Sequence, residues 1–144
     1  MIPGIQQSAF QATIDGKQTD LYTLKNNNGM EVAITNYGAA IIGIYVPDKN
    51  GNFANVIGGH DSIEAITHSS QKYLSTTIGR YGNRIKGGKF VLNGKQYQLP
   101  QNEGNNTLHG GMNGFNKKVW DALQMNDQTI VLNYTSPYGE EGFT

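Results

Sequence analysis

The chain has no cysteine, one tryptophan, four prolines and two arginines in 144 residues. Without cysteine there are no disulfides and no thiolate metal ligands, although this does not choose a compartment. Charge is also scarce. Only 15% of residues are charged, and 11 basic side chains balance 11 acidic ones. A net charge of zero provides no electrostatic footprint for nucleic acid or an anionic membrane. No apolar run approaches the roughly 20 residues that span a bilayer. The Met1-Ile2-Pro3-Gly4 start lacks a basic n-region and an apolar h-region, so a signal peptide is absent or already removed. His60 and His68 have no HExxH spacing or other paired ligand motif and read as surface or helix-end residues. No metal or cofactor is expected.

What is present is turn chemistry. Nineteen glycines and frequent asparagines punctuate short β-prone runs, which describes many turns and few helices. Residues 10–14 and 20–24 flank Asp15-Gly16 and read as a hairpin; residues 30–35 alternate, and 40–46 form a more continuous apolar strand. Residues 89–92 and 95–99 about Asn93-Gly94 make the strongest hairpin, because Asn-Gly readily supplies the two positive φ angles of a type I′ turn. Residues 119–125 and 129–134 make a further pair about Asn126-Asp127. The one helical candidate is residues 61–67, with Asp61 as N-cap and Glu64 completing a capping box. The spacing predicts a single all-β domain, residues 1–144, of sandwich type.

Both arginines lie in one phrase, Ile78-Gly79-Arg80-Tyr81-Gly82-Asn83-Arg84-Ile85, with the nine lysines scattered elsewhere. Arginine grips several oxygens at once with a rigid fork of donors. If this stretch is extended, Arg80 and Arg84 share a face and Asn83 points the other way unless the glycines break the pattern. The bland reading is ion pairs or carbonyl caps at a sheet edge. Next comes Asn105-Asn106-Thr107-Leu108-His109-Gly110-Gly111, where glycines clear space beside a side chain suited to moving protons near neutral pH. A lone histidine is more often structural, but polar neighbours favour a functional His109. Together these phrases point to a pocket for an oxygen-rich, weakly charged or uncharged molecule, with proton transfer. Glu140-Glu141 reads as a solvated loop, and neither Gly79-x-x-Gly82 nor Gly110-Gly111 is a phosphate loop.

The phrases resemble those of the aldose 1-epimerase (galactose mutarotase) family. The similarity starts at Asn36-Tyr37-Gly38-Ala39 and passes through Val46-Pro47-Asp48 and the arginine phrase. It continues through Gly88-Lys89-Phe90, Leu92-Asn93-Gly94-Lys95, Leu108-His109-Gly110-Gly111, Gly114-Phe115 and Trp120 to Ser136-Pro137-Tyr138-Gly139-Glu140-Glu141-Gly142-Phe143. Gly82 stands where alanine is frequent and Tyr138 where aspartate is common. Family members continue well beyond the position of Thr144.

The resemblance implies the N-terminal part of a galactose mutarotase-type supersandwich, with ring-opening interconversion of the anomers of free aldohexoses such as galactose and glucose. It implies that Asn83 and Arg84 hold sugar hydroxyls, that His109 lies beside the reacting atoms, and that Arg80 is nearer to structural. The family's second histidine, aspartate and catalytic glutamate fall beyond Thr144, so this chain is expected to bind sugar weakly and catalyse poorly alone. It is also expected to associate with itself or with a complementing C-terminal segment. The compartment is expected to be cytoplasmic, or else periplasmic or secreted with the signal removed. Two rivals remain: a non-catalytic carbohydrate-binding sandwich module, and an epimerase of hexose phosphates, which would call for more cations.

Overall fold

The computed structural model describes residues 4–144; the Met1-Ile2-Pro3 start lies outside them. The architecture is antiparallel β throughout, joined by tight turns. One four-stranded sheet runs in sequence order: β3 (Leu21–Lys25), β4 (Glu31–Thr35), β5 (Ala40–Pro47) and β6 (Phe53–Asn55). Two-stranded ribbons carry the rest. They are β1 (Thr13–Ile14) with β2 (Lys17–Gln18), β8 (Lys89–Leu92) with β9 (Lys95–Gln98), and β11 (Asp121–Asn126) with β12 (Thr129–Asn133). The last ribbon is non-local: β7 (Arg84–Ile85) pairs with β10 (Thr107–Leu108). Among the described residues, no helix is long and apolar enough to cross a membrane.

The main core lies on one face of the large sheet. Phe10, Leu21, Ala33, Tyr37, Ala40, Ile42 and Val119 pack with Ile63 and Ile66 of α1 (Ile63–His68), the one α-helix among the described residues. Burying each large side chain contributes about 1.5–3 kcal/mol. Polar groups drawn into this core are satisfied. Asn36 is buried, yet its amide donates to the carbonyls of Gln18 (3.1 Å) and Trp120 (3.2 Å) and accepts from Asp20 N–H (2.8 Å). One side chain thus ties three segments together around the start of the Asn36-Tyr37-Gly38-Ala39 turn.

Two expectations about local structure change. The hairpin about Asp15-Gly16 is shorter than residues 10–14 and 20–24 predict, and Leu21–Lys25 pairs instead with Glu31–Thr35. Phe10 closes a 3₁₀ turn, and its carbonyl is taken by the buried Thr19 hydroxyl (2.7 Å), which removes it from strand pairing. The helix N-cap is Ser62, not Asp61: Ser62 Oγ accepts from Ala65 N–H at 3.1 Å. A hydroxyl two residues before Glu64 therefore replaces the predicted capping box. The Asn93-Gly94 hairpin forms as predicted, with Phe90 stacked on Tyr97 at 5.1 Å.

Candidate functional site

The site residues converge through the short β7/β10 ladder. Its register sets Leu108 opposite Arg84, so the next residues outward, His109 and Asn83, face each other. The His109 N–H donates to the Asn83 carbonyl at 3.1 Å, and the Asn83 N–H donates to His109 Nδ1 at 3.0 Å. A backbone N–H can only donate, so Nδ1 must accept, and the neutral ring carries its proton on Nε2. His109 is half-buried and is fixed as an Nε2–H donor.

Both facing residues have left-handed backbones: φ is 65° at Asn83 and 50° at His109. This geometry defeats the alternation expected of an extended strand. Asn83 does not point away from Arg84; its Oδ1 accepts from the Arg84 guanidinium at 3.3 Å. The two arginines, by contrast, separate. Arg80 turns to the C-terminal segment and donates to Ser136 Oγ (2.8 Å), Pro137 O (2.6 Å) and Thr144 O (2.7 Å). Arg80 is a structural clasp, and Arg84 alone joins the constellation.

Arg84 is gripped by a carboxylate that sequence reasoning did not single out. Glu103 accepts from Arg84 Nε through both oxygens at 3.1 Å and from the terminal nitrogen at 2.7 Å. These hydrogen bonds, then Asn106, hold the Glu103 carboxyl below its ordinary range despite some opposing desolvation, and they push Arg84 up. The pair is solvent-accessible, at 53% and 37% side-chain exposure, so its importance lies in geometry more than in stability. One edge of the fork is occupied by Glu103 and one NH1 hydrogen by Asn83 Oδ1, which leaves the second NH1 hydrogen for a ligand.

The loop bearing His109 is braced from behind. Gly110 lies against the Gly79 carbonyl so closely that any Cβ would land on that oxygen. Gly79 in turn has no room for a Cβ because the Phe115 ring covers it; Phe115 packs edge-on to Trp120 (5.8 Å) and Tyr134 (5.3 Å). Glu141 Oε2 accepts from Met112 N–H at 2.6 Å, just beyond the glycines. Glu140 is not the solvated group predicted. It is largely covered and accepts from Lys118 (2.7 Å), the Tyr134 hydroxyl and the Ser136 hydroxyl. Burial opposes its charge, but the hydrogen bonds win and its pKa is lowered. His68 closes the end of α1 through Glu64 O (2.9 Å), away from this cluster.

A groove of about 450 Å³ lies alongside, lined by Tyr81, Arg84, Ile85, Lys86, Phe90 and Phe143. It shares Arg84 with the constellation, but neither Asn83 nor His109 lines it. Its walls are chiefly apolar, whereas a hydroxyl-rich ligand needs converging donors and acceptors. The Asn83–Arg84–His109 cluster, not the groove, is the candidate site. Among the described residues, no three His, Asp or Glu side chains gather as metal ligands.

Comparison with known proteins gives the family and the fold. The aldose 1-epimerase family model matches residues 20–144. The chain is 33% identical over 129 residues to the aldose 1-epimerase of Escherichia coli K12, and the match covers 90% of this chain and 37% of that protein. It is 37% identical over 114 residues to the galactose mutarotase of Bos taurus, covering 79% of this chain and 33% of the relative. The fold superposes on the galactose 1-epimerase of Lactobacillus acidophilus with a TM-score of 0.76 at 30% identity, over 90% of this chain and 38% of that one. An aldose epimerase homologue from C. elegans superposes with a TM-score of 0.80 at 27% identity, over 86% of this chain and 38% of that one. The chain thus spans well under half the length of these relatives. Through its matched residues and its fold, it belongs to the aldose 1-epimerase family.

Proposed function

We propose that this chain provides the Asn83–Arg84–His109 part of a mutarotase site that interconverts the α and β anomers of free aldohexoses such as galactose and glucose. The observation that carries the reading is the Asn83 N–H on His109 Nδ1, which leaves Nε2–H as the outward donor. Ring opening requires a proton at the ring oxygen while the anomeric hydroxyl loses one; the C1–O5 bond breaks, the aldehyde rotates about C1–C2, and the ring closes on its other face. Nε2–H is the group suited to the ring oxygen, and the free side of Arg84 with the Asn83 amide suits neighbouring hydroxyls. The family resemblance implies that the partner base lies in the part of the relatives that this chain does not span.

A second reading, a non-catalytic carbohydrate-binding module, is favoured by one observation. Glu103 is engaged by Arg84, so His109 is the cluster's only group suited to proton transfer. Titrating the ¹⁵N-labelled chain with galactose separates the readings. Both predict shifts confined to Asn83, Arg84 and His109. Optical rotation above the spontaneous rate, measured on the natural protein that carries this sequence, supports mutarotation, and binding there without acceleration supports the module. Shifts elsewhere, or none at millimolar sugar, would overturn both.

A further inference from the structure

The His109 turn requires an explanation that the ladder alone does not give. His109, Gly110 and Gly111 are three consecutive residues with φ of 50°, 89° and 103°. A left-handed run that begins with a non-glycine residue persists only where its surroundings over-determine it.

A single side-chain amide brackets this run. Asn102 Oδ1 accepts from Leu108 N–H at 2.7 Å, and Nδ2 donates to Leu108 O and Gly111 O, each at 2.9 Å. The amide thus acts as a neighbouring strand on the edge of β10 that β7 leaves free, and it closes the turn from Leu108 to Gly111. Its orientation is unambiguous: an amide turned the other way would aim its oxygen at two carbonyls and its N–H₂ at an N–H. Nδ2 also reaches the Tyr73 hydroxyl at 3.3 Å, and the Tyr73 ring lies edge-on to the His109 imidazole, 4.6 Å between centroids at 61°. Burial raises the Tyr73 pKa, with the Asn102 bond opposing, so the phenol stays neutral beside the ring.

We propose that Asn102 is a positioning residue that acts through the backbone of the turn and through Tyr73 to hold His109 in the Nε2–H tautomer against Asn83. It touches no substrate atom. Its effect is to keep the imidazole within reach of the Asn83 N–H, so that the outward nitrogen is always a donor. The significance for catalysis rests on the mutarotase reading above; the tautomer itself does not.

The test is the ¹⁵N spectrum of the histidine rings in the 144-residue chain. The wild type should show His109 with an unprotonated, hydrogen-bonded Nδ1 and a protonated Nε2. Asn102→Asp has the same shape but sets a carboxylate oxygen against two carbonyls. It should mix the His109 tautomers and weaken the Asn83 amide bond while leaving His60 and His68 unchanged. Tyr73→Leu approaches from the other branch and should loosen the ring in the same way even if Asn102→Asp fails to fold, whereas Tyr73→Phe, which keeps the ring against His109 but cuts its bond to Asn102, should loosen it less. Folded Asn102→Asp or Tyr73→Leu with a wild-type His109 spectrum would overturn the proposal. A wild-type ring protonated on Nδ1 would instead contradict the site geometry on which the mutarotase reading depends.

Discussion

Asn83 and His109 exchange hydrogen bonds across 26 residues of sequence: one backbone N–H bonds a carbonyl, and the other bonds a ring nitrogen. The exchange extends the β7/β10 ladder by one rung and substitutes an imidazole for a carbonyl on it. That substitution connects fold to chemistry. The pairing of β7 with β10 also sets the tautomer of His109, and it does so beside the one arginine that remains in the candidate site.

Arg84 depends on bidentate geometry, so Arg84→Lys should not be a conservative change. A lysine ammonium can meet Glu103 or a sugar hydroxyl, but not both in fixed directions. Half-saturation with galactose should rise about tenfold, with the maximal rate within about threefold, the pattern of lost uniform binding. Polarimetric initial rates across a galactose series, on the natural protein that carries this sequence, measure both. An unchanged half-saturation would show that the guanidinium does not touch the sugar.

The corrected helix cap makes a test of stability. Ser62→Ala removes the acceptor for Ala65 N–H and should cost about 1 kcal/mol, or about 2–4 °C in Tm. Asp61→Ala should be near neutral. Thermal melts followed by circular dichroism distinguish the two, and the reverse ranking would restore Asp61 as the cap.

The Glu140 cluster predicts a pH response at both ends. The folded pKa of Glu140 is lowered, so its contribution is present above the ordinary glutamate value and is lost as pH falls through the folded one. Glu140→Gln should flatten the acid limb of the stability curve. Tyr134 runs the opposite way: burial first, then Glu140, pushes its phenol to about 12. Its contribution is complete below pH 10 and is lost as pH rises from about 10 through about 12. Denaturant midpoints across pH check both limbs, and phenolate absorbance locates Tyr134. Tyr134, read as the difference between the chain and its Tyr134→Phe variant, titrating near 10 in the folded state would contradict the cluster.

The parts of this molecule that could be read in the sequence are those whose physics is local. Asn93-Gly94 fixes its own hairpin through positive φ, and the apolar run at residues 40–46 lies within β5. The glycines behind His109 read as clearing space for a ligand, whereas the structure fills the space at Gly110 with the Gly79 carbonyl. What was illegible is non-local or too short to have a period. β7 and β10 are two residues each, so nothing in their alternation announces a ladder. Without that ladder, the residues alone put Arg80 and Arg84 on one face and only the family resemblance tells them apart; one clasps the C-terminal segment and the other joins the candidate site. Glu103 lay in a polar loop with no local mark, and only its Asn106 turn and the β7/β10 register carry it to Arg84. Glu140 failed for a related reason: a Gly-flanked acidic pair reads as solvated until Lys118 and Tyr134 arrive from distant segments.

The most direct test of the central claim is polarimetry of pure α-galactose with His109→Ala in the natural protein that carries this sequence. The decay toward equilibrium rotation is corrected for the spontaneous rate, and His60→Ala and His68→Ala serve as controls. If His109 Nε2 serves the proton transfer, kcat should fall by about 10²–10⁴, with the controls near wild type. A folded His109→Ala protein that turns over galactose at the wild-type rate would contradict the account.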